Sequence, residues 1–139
     1  MERFPILQSL YLSTEVVQRA VVAQERVIKK IAQEGSCVIV GRAADYVLEG
    51  HPNVLRVFVY APEEDKIERI MKIYGDTREG AKKHIRRADE ARALYYKRIS
   101  GRAWGERGSY DMIINSAQGL EESAEMICAQ VRAMESNKN

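Results

Sequence analysis

The sequence has few of the features that mark specialised classes of protein. Its 139 residues include two cysteines and three prolines, and 7% are aromatic. No apolar run approaches the roughly 18 residues of a membrane-spanning helix, and the start is too short and polar for a secretory signal. Lysine plus arginine (22) nearly balance aspartate plus glutamate (20), so the net charge of +2 does not by itself indicate nucleic acid or lipid as a partner. Collagen, disordered tails and membrane spans are excluded, and a cytoplasmic location is predicted.

What is present fits one globular domain over residues 1–139. The composition is 45% hydrophobic and 30% charged, and a chain of this length buries about two-thirds of the surface of its unfolded form. Cys37 and Cys128 lie in apolar surroundings, which predicts buried free thiols rather than a disulfide. His51 and His84 have no Cys or His at metal-ligand spacing, so no metal site is predicted.

Hydrophobic periodicity predicts helices that alternate with strands. After an irregular start, helices are predicted over residues 15–34, 63–74, 77–99 and 120–134, and strands over 36–41, 54–60 and 111–115. The run 36–41 is unbroken and apolar, as in a strand that is covered on both faces. This order predicts the α/β class, with a parallel sheet and flanking helices.

In a parallel sheet, ligands bind where the strands end. The residues at these ends are Gly41, Arg42 and Asp45 after the first strand, Ala61 and Pro62 after the second, and Asn115 and Ser116 after the third. Gly41 permits a sharp turn, while Arg42 and Asp45 supply a cation and an anion. A helix start with an internal ion pair is an alternative explanation of the same residues.

The segment 78–107 concentrates positive charge, with ten Lys or Arg against four acids and a net charge of +6. Beside its predicted buried stripe runs a row made of Lys82, Arg86, Asp89, Arg92 and Tyr96. Planar guanidinium groups bind phosphate oxygens in pairs, and Asp89 has the spacing to orient both Arg86 and Arg92. A solvated, ion-paired face is the alternative. Nucleic acid is a less favoured partner, because acids interrupt the row and aromatics are few.

Several segments, in this order, resemble the cytidylate-kinase-like family. They are SCVIVGRAADYVL (36–48), residues 54–61, RRADEARALYY (86–96), Trp104 with Gly105, and YDMIIN (110–115). The resemblance covers roughly residues 23–134. It implies a nucleoside monophosphate kinase fold with a five-stranded parallel sheet and a mobile, helical, Arg-rich lid at about 77–108. It also implies ATP and Mg²⁺ as the donor system, and CMP or dCMP as the acceptor.

The resemblance also implies roles for individual residues. Gly41, Arg42 and Asp45 would lie on the acceptor side, and the lid would carry Arg86, Arg87, Asp89 and Arg92. Arg86 and Asp89 would contribute to substrate binding, while Arg87 and Arg92 would face the transferring phosphoryl group. Two departures from the family pattern concern the acceptor: Ala43 and Ala44 stand between Arg42 and Asp45, and Ile85 occupies the place of a lid arginine.

The family's first strand and its glycine-rich phosphate-binding loop have no counterpart in this sequence, since no G-x-x-x-x-G-K-[ST] occurs. We therefore expect a truncated P-loop nucleotide-kinase-like fold, equivalent to the carboxyl-terminal two-thirds of such a kinase. In the family the lost strand lies between the strands at Cys37 and Val54, so two unpaired edges are expected. One hypothesis is a phosphotransferase half-site that needs a donor loop from elsewhere. The alternative is a non-catalytic remnant that binds a second copy or a complementing segment through the open edge.

Overall fold

The computed structural model describes the backbone of residues 4–138 and the side chains from Thr14 to Lys138. In chain order the described elements are helices α1 (Phe4–Glu34) and α2 (Ala44–Val47), strand β1 (Val57–Tyr60), helices α3 (Glu63–Tyr74) and α4 (Arg78–Ser100), strand β2 (Met112–Asn115) and helix α5 (Leu120–Ser136). Single 3₁₀ turns lie at Arg107–Ser109 and Ser116–Gln118.

Local capping explains the ends of α3 and α4. Pro62 precedes α3, whose first turn carries three acids that complement the positive helix start, and Gly75 ends it in the left-handed conformation. The hydroxyl of Thr77 accepts a hydrogen bond from the Gly80 N–H at 3.1 Å and caps α4, which Gly101 terminates. Both helices lie within a residue or so of their predicted bounds.

The sheet of the described residues has two parallel strands, paired from Val57 with Met112 to Tyr60 with Asn115. Helices α3 and α4 form the crossover between them and pack on each other. Ile67 of α3, Ala81 of α4 and Ile114 of β2 are fully buried. The prediction of an α/β fold with a parallel sheet and flanking helices is confirmed at this level.

The prediction of a strand covered on both faces over residues 36–41 is wrong for this structure. The segment is extended but pairs with no strand among residues 4–138. Ile39 packs against a cluster of Ile28, Ala44 and Leu48, whereas Val38 and Val40 are 92% and 86% exposed. Because side chains alternate along an extended chain, one face meets the core and the other is left in solvent.

Helix α1 is longer than its periodicity predicted, because it begins at Phe4 rather than after an irregular start. Pro5 lies in its first turn, where a missing N–H costs no hydrogen bond. Val21 and Ile28 are buried, while residues 14–20 are exposed. Among the side chains that the structure describes, the body of the protein thus covers α1 only from Val21 onward.

The cysteine prediction is half right. Cys37 and Cys128 are free, but both are exposed rather than buried. Cys37 lies in the unpaired segment 36–41, and Cys128 lies on the solvent side of α5. Across the part of the chain that the structure describes, no helix combines the length and apolar character needed to cross a membrane.

Candidate functional site

The turn after residues 36–41 has an unusual backbone. Gly41, Arg42 and Ala43 all have positive φ, at 70°, 60° and 54°, and the Ala44 N–H donates to the Gly41 carbonyl at 3.2 Å. Left-handed geometry is uncommon for residues other than glycine. Ala43 and Ala44 are buried, while Arg42 is exposed. The two alanines that depart from the family pattern therefore anchor the turn in the core.

Asp45 lies in the first turn of α2 and contacts α4. The Tyr96 hydroxyl donates a hydrogen bond to Asp45 Oδ2 at 2.7 Å. Burial raises the pKa of Tyr96, and the hydrogen bond and negative charge of Asp45 raise it further. Burial also raises the pKa of the neighbouring Tyr110. Tyr96 therefore stays protonated and neutral, so its hydroxyl can donate a hydrogen bond to the carboxylate of Asp45.

This contact brings the Gly41 turn to the cationic row of α4. Arg92 precedes Tyr96 by four residues, and residues at that spacing are neighbours on one helical face. Arg92 Nη1 lies 2.9 Å from Asp89 Oδ1. The two segments that the sequence singled out therefore meet at Tyr96, with Arg92 one turn away along α4.

The partners of Asp89 differ from those that the sequence predicted. Its second oxygen lies 2.8 Å from Lys66 Nζ on α3, and Arg86 makes no hydrogen bond or ion pair to it among the described side chains. Asp89 therefore orients Arg92 and Lys66 rather than Arg86 and Arg92. The physical reason is that α3 packs beside α4 and offers an ammonium on the near side.

A depression of about 260 Å³ lies between α3 and α4 at this point, lined by Glu63, Lys66, Lys82, Ile85, Arg86 and Asp89. Three of these side chains are cations and two are carboxylates. The excess of one positive charge, with ammonium and guanidinium donors on both sides, suits an anionic ligand with several oxygens.

Three of the proposed arginines have free guanidinium groups. Arg42, Arg86 and Arg87 are exposed and make no ion pair with residues 14–138. Arg87 lies nine residues before Tyr96, which is about 180° around the helix. The structure therefore brings Arg92 to the side of Asp45, whereas Arg87 is on the opposite side of α4.

The carboxyl end of α4 is tied to α2. Arg102 donates to both carboxylate oxygens of Glu49 at 3.2 Å, and its guanidinium lies 5.4 Å from the centre of the Tyr46 ring. These contacts are exposed and individually weak. They nevertheless hold the end of the basic helix beside the Gly41 turn.

The loop after α4 is anchored to the sheet by aromatic side chains. The Trp104 ring meets Phe58 of β1 edge to face at 5.4 Å, and Tyr110 lies 5.0 Å from the same ring. Gly105 has φ 82°, and a Cβ there would stand 3.0 Å from Phe58 Cζ. These contacts indicate that Trp104 anchors the loop to the sheet.

The residues at the ends of β1 and β2 serve the fold. The Asn115 side chain accepts from the Ala117 N–H at 3.0 Å, and the buried Ser116 hydroxyl donates to the Tyr60 carbonyl at 3.2 Å. Asn115 Oδ1 and the Ser116 hydroxyl are thus engaged within the chain. Among the three strand ends considered, the Gly41 turn has the free polar groups.

The sequence matches the model of a known family. The family model described as the cytidylate kinase-like family matches residues 3–118. The chain belongs to this family. The family resemblance of the sequence is thereby confirmed.

The cytidylate kinase-like chain is similar to a curated protein and to a solved structure. It is 26% identical over 102 residues to a cytidylate kinase from Methanopyrus kandleri, an alignment that covers 68% of this chain and 53% of the relative. The chain thus spans about half the length of that curated protein. It is also similar to the crystal structure of an uncharacterized protein from Eubacterium ventriosum, with a TM-score of 0.80, 27% identity, and coverage of 84% of this chain and 67% of that one.

The residues of this cytidylate kinase-like chain do not by themselves fit a donor nucleotide with its metal. The sequence has no G-x-x-x-x-G-K-[ST] loop to cradle donor phosphates. Within residues 4–138, no group of three or more His, Cys, Asp or Glu side chains is placed to hold a metal ion. What these residues offer is a set of cations that suits an anionic ligand.

Sequence reasoning missed three residues of the site: Lys66, Tyr96 as a contact of Asp45, and Arg102. Tyr96 carried a signal, since it is the aromatic member of the cationic row. The partners of Lys66 and Arg102 lie 23 and 53 residues away along the chain, and no local pattern indicates such pairs.

Proposed function

We propose that this chain supplies the acceptor and lid parts of a cytoplasmic nucleoside monophosphate phosphotransferase, with CMP or dCMP as the acceptor. Support comes from family membership over residues 3–118. The observation that carries the proposal is the 2.7 Å hydrogen bond between Tyr96 and Asp45, because it brings the Gly41 turn to the Arg-rich helix. An anion bound at either segment lies near the cations of the other.

The proposed roles are those that the family resemblance implies for these residues. Gly41 leaves room at the turn, and Arg42 and Asp45 bind the acceptor nucleotide as donor and acceptor of hydrogen bonds. Arg86 and Asp89, which line the depression between α3 and α4, complete the substrate site. The free guanidinium groups of Arg42 and Arg86 suit phosphate oxygens.

Arg92 and Arg87 are the proposed catalytic residues. Guanidinium groups stabilise the charge that develops on a phosphoryl group in transfer. Arg92 would approach from the side of α4 that carries Tyr96, and Arg87 from the opposite side. The segment 77–108 would act as the lid of a single domain that spans residues 1–139.

The donor half of the reaction lies outside these groups. ATP and Mg²⁺ are implied for the complete enzymes of the family, and this chain spans about half of its curated relative. We therefore propose that residues 1–139 bind the acceptor but transfer no phosphoryl group until a donor loop is supplied.

Isothermal titration of the chain with CMP tests the proposal. CMP should bind, and cytidine should bind at least tenfold more weakly because it lacks the phosphate that the arginines contact. Replacing Arg42 by Ala should weaken CMP binding, whereas Arg132→Ala on α5, a matched charge change away from the site, should not. A folded chain with no binding at millimolar CMP would contradict the proposal.

One observation favours a second function, binding of a partner chain. Val38 and Val40 project into solvent from an extended segment whose backbone pairs with no described strand. Such an edge can accept a strand from a second copy or a complementing segment. Light scattering after gel filtration tests self-association: Val40→Lys should convert a dimer to a monomer. A wild-type chain that stays monomeric at high concentration would exclude the second copy.

A further inference from the structure

We propose that Tyr96 is the positioning residue of the acceptor site: its hydroxyl holds Asp45 Oδ2, so that Oδ1 faces a hydrogen-bond donor of the bound nucleotide. This inference rests on the proposed function, in which Asp45 binds the acceptor. It adds a named group that determines where the Asp45 carboxylate points.

The burial of Tyr96 makes it suited to this task. Only 4% of the residue is exposed, so its ring is confined by packing, whereas Asp45 is half-buried on a four-residue helix. A confined donor that contacts a less confined carboxylate fixes the orientation of that carboxylate.

The other oxygen of Asp45 is available to a ligand. Oδ2 accepts from Tyr96, and Oδ1 has no hydrogen-bond partner among the side chains the structure describes. An ionised carboxylate oxygen only accepts hydrogen bonds, so its partner must carry an N–H or O–H. Amino and hydroxyl groups of a nucleoside monophosphate meet this requirement.

Tyr96 also couples Asp45 to the basic helix. It lies on α4 one turn after Arg92, so a displacement of this end of α4 moves the donor of Asp45 together with the arginine. The Asp45 carboxylate and the Arg92 guanidinium are thereby placed by one rigid element. The affinity for a nucleotide that binds both groups would therefore depend on the position of that helix.

A double-mutant cycle with CMP as the probe tests the inference. Isothermal titration would compare wild type, Tyr96→Phe, Asp45→Asn and the double variant. Tyr96→Phe should weaken CMP binding by about tenfold, the factor expected for a loss of about 1.4 kcal/mol. In the Asp45→Asn background, Tyr96→Phe should weaken CMP binding by less than about a further twofold, because the carboxylate that Tyr96 orients is gone.

The adjacent tyrosine provides the matched control. Tyr95 also donates a side-chain hydrogen bond, to Gln24 of α1, and does not contact Asp45. Tyr95→Phe removes the same atom from the same helix, and CMP binding should be unchanged. Thermal unfolding by circular dichroism would verify that all variants are folded.

Each result has a distinct meaning. Unchanged CMP binding by Tyr96→Phe would overturn the inference. So would a loss of CMP affinity that is equal in the wild-type and the Asp45→Asn backgrounds, because Tyr96 would then act only through the fold. A wild-type chain that does not bind CMP would overturn the proposed function and the inference with it. If Tyr96→Phe fails to fold, ¹³C-tyrosine NMR decides: CMP should shift the Tyr96 signal in wild type and not in Asp45→Asn, and equal shifts would overturn it.

Discussion

The hydroxyl of Tyr96 lies 2.7 Å from Asp45 Oδ2, although 51 positions separate the two residues. The bond joins a helix that carries eight of the chain's 22 lysines and arginines to a turn built on three successive residues with positive φ. Arg92 lies one turn before Tyr96, and Tyr96 contacts the Asp45 carboxylate. Arg92 and Asp45 therefore lie in the same region of the molecule. The chain belongs to the cytidylate kinase-like family, and the arginines of α4 can be tested one by one.

The first prediction concerns alkaline pH. The raised pKa of Tyr96 means that the native state keeps this proton above pH 10.0, its ordinary value, while the unfolded chain loses it. Its contribution is complete below pH 10 and is lost as pH rises toward the native pKa. The free energy of unfolding should therefore fall above pH 10, and less steeply in Tyr96→Phe.

Urea titrations at pH 8 and pH 11 measure this difference. Tyr110, whose pKa is also raised by burial, contributes in the same direction and remains in the variant. If the free energy of unfolding depends on pH equally in wild type and in Tyr96→Phe, the Tyr96 phenol ionises alike in the folded and unfolded states.

The second prediction separates two arginines of α4. Arg92→Ala should weaken CMP binding by about tenfold to a hundredfold, since a charge-assisted hydrogen bond is worth about 1.5–3 kcal/mol. Arg87→Ala should change it less than about threefold, because Arg87 lies about 180° around the helix from Tyr96. Isothermal titration measures both, and the reverse order of effects would place the acceptor on the other face of α4.

The third prediction concerns the exposed segment 36–41. Val40→Asp should change the free energy of unfolding of the isolated chain by less than about 0.5 kcal/mol, because the side chain is in solvent. Ile114→Asp, at a position 1% exposed, should prevent folding, because it buries an unpaired charge. Denaturant unfolding distinguishes the two, and a Val40→Asp chain that cannot fold would mean that this face is covered in solution.

The fourth prediction concerns the aromatic anchor. Gly105→Ala should destabilise the fold by about 1–3 kcal/mol, since the new Cβ meets Phe58 and the residue has positive φ. Gly108→Ala is the control, because no atom lies within 4 Å of its Cβ position and its φ is not positive. The emission of Trp104, the one tryptophan of the sequence, should shift to the red in the first variant only.

The sequence by itself determined most of the local structure. Thr77, Gly101, Pro62 and Gly75 define the ends of α4 and α3, because a cap depends on residues within one helical turn. The cationic row on α4 was also readable, since its spacing follows the helical period.

Tertiary structure alone decided which groups meet. Asp89 pairs with Lys66 rather than Arg86, and Asp45 meets Tyr96, because these choices depend on the packing of α4 against α3 and α2. The exposure of the Val38 and Val40 side chains could likewise not be predicted from the sequence. An apolar run predicts a strand whose two faces need covering. Whether other elements pack on both faces, and whether a strand pairs with its edge, are properties of the assembled fold.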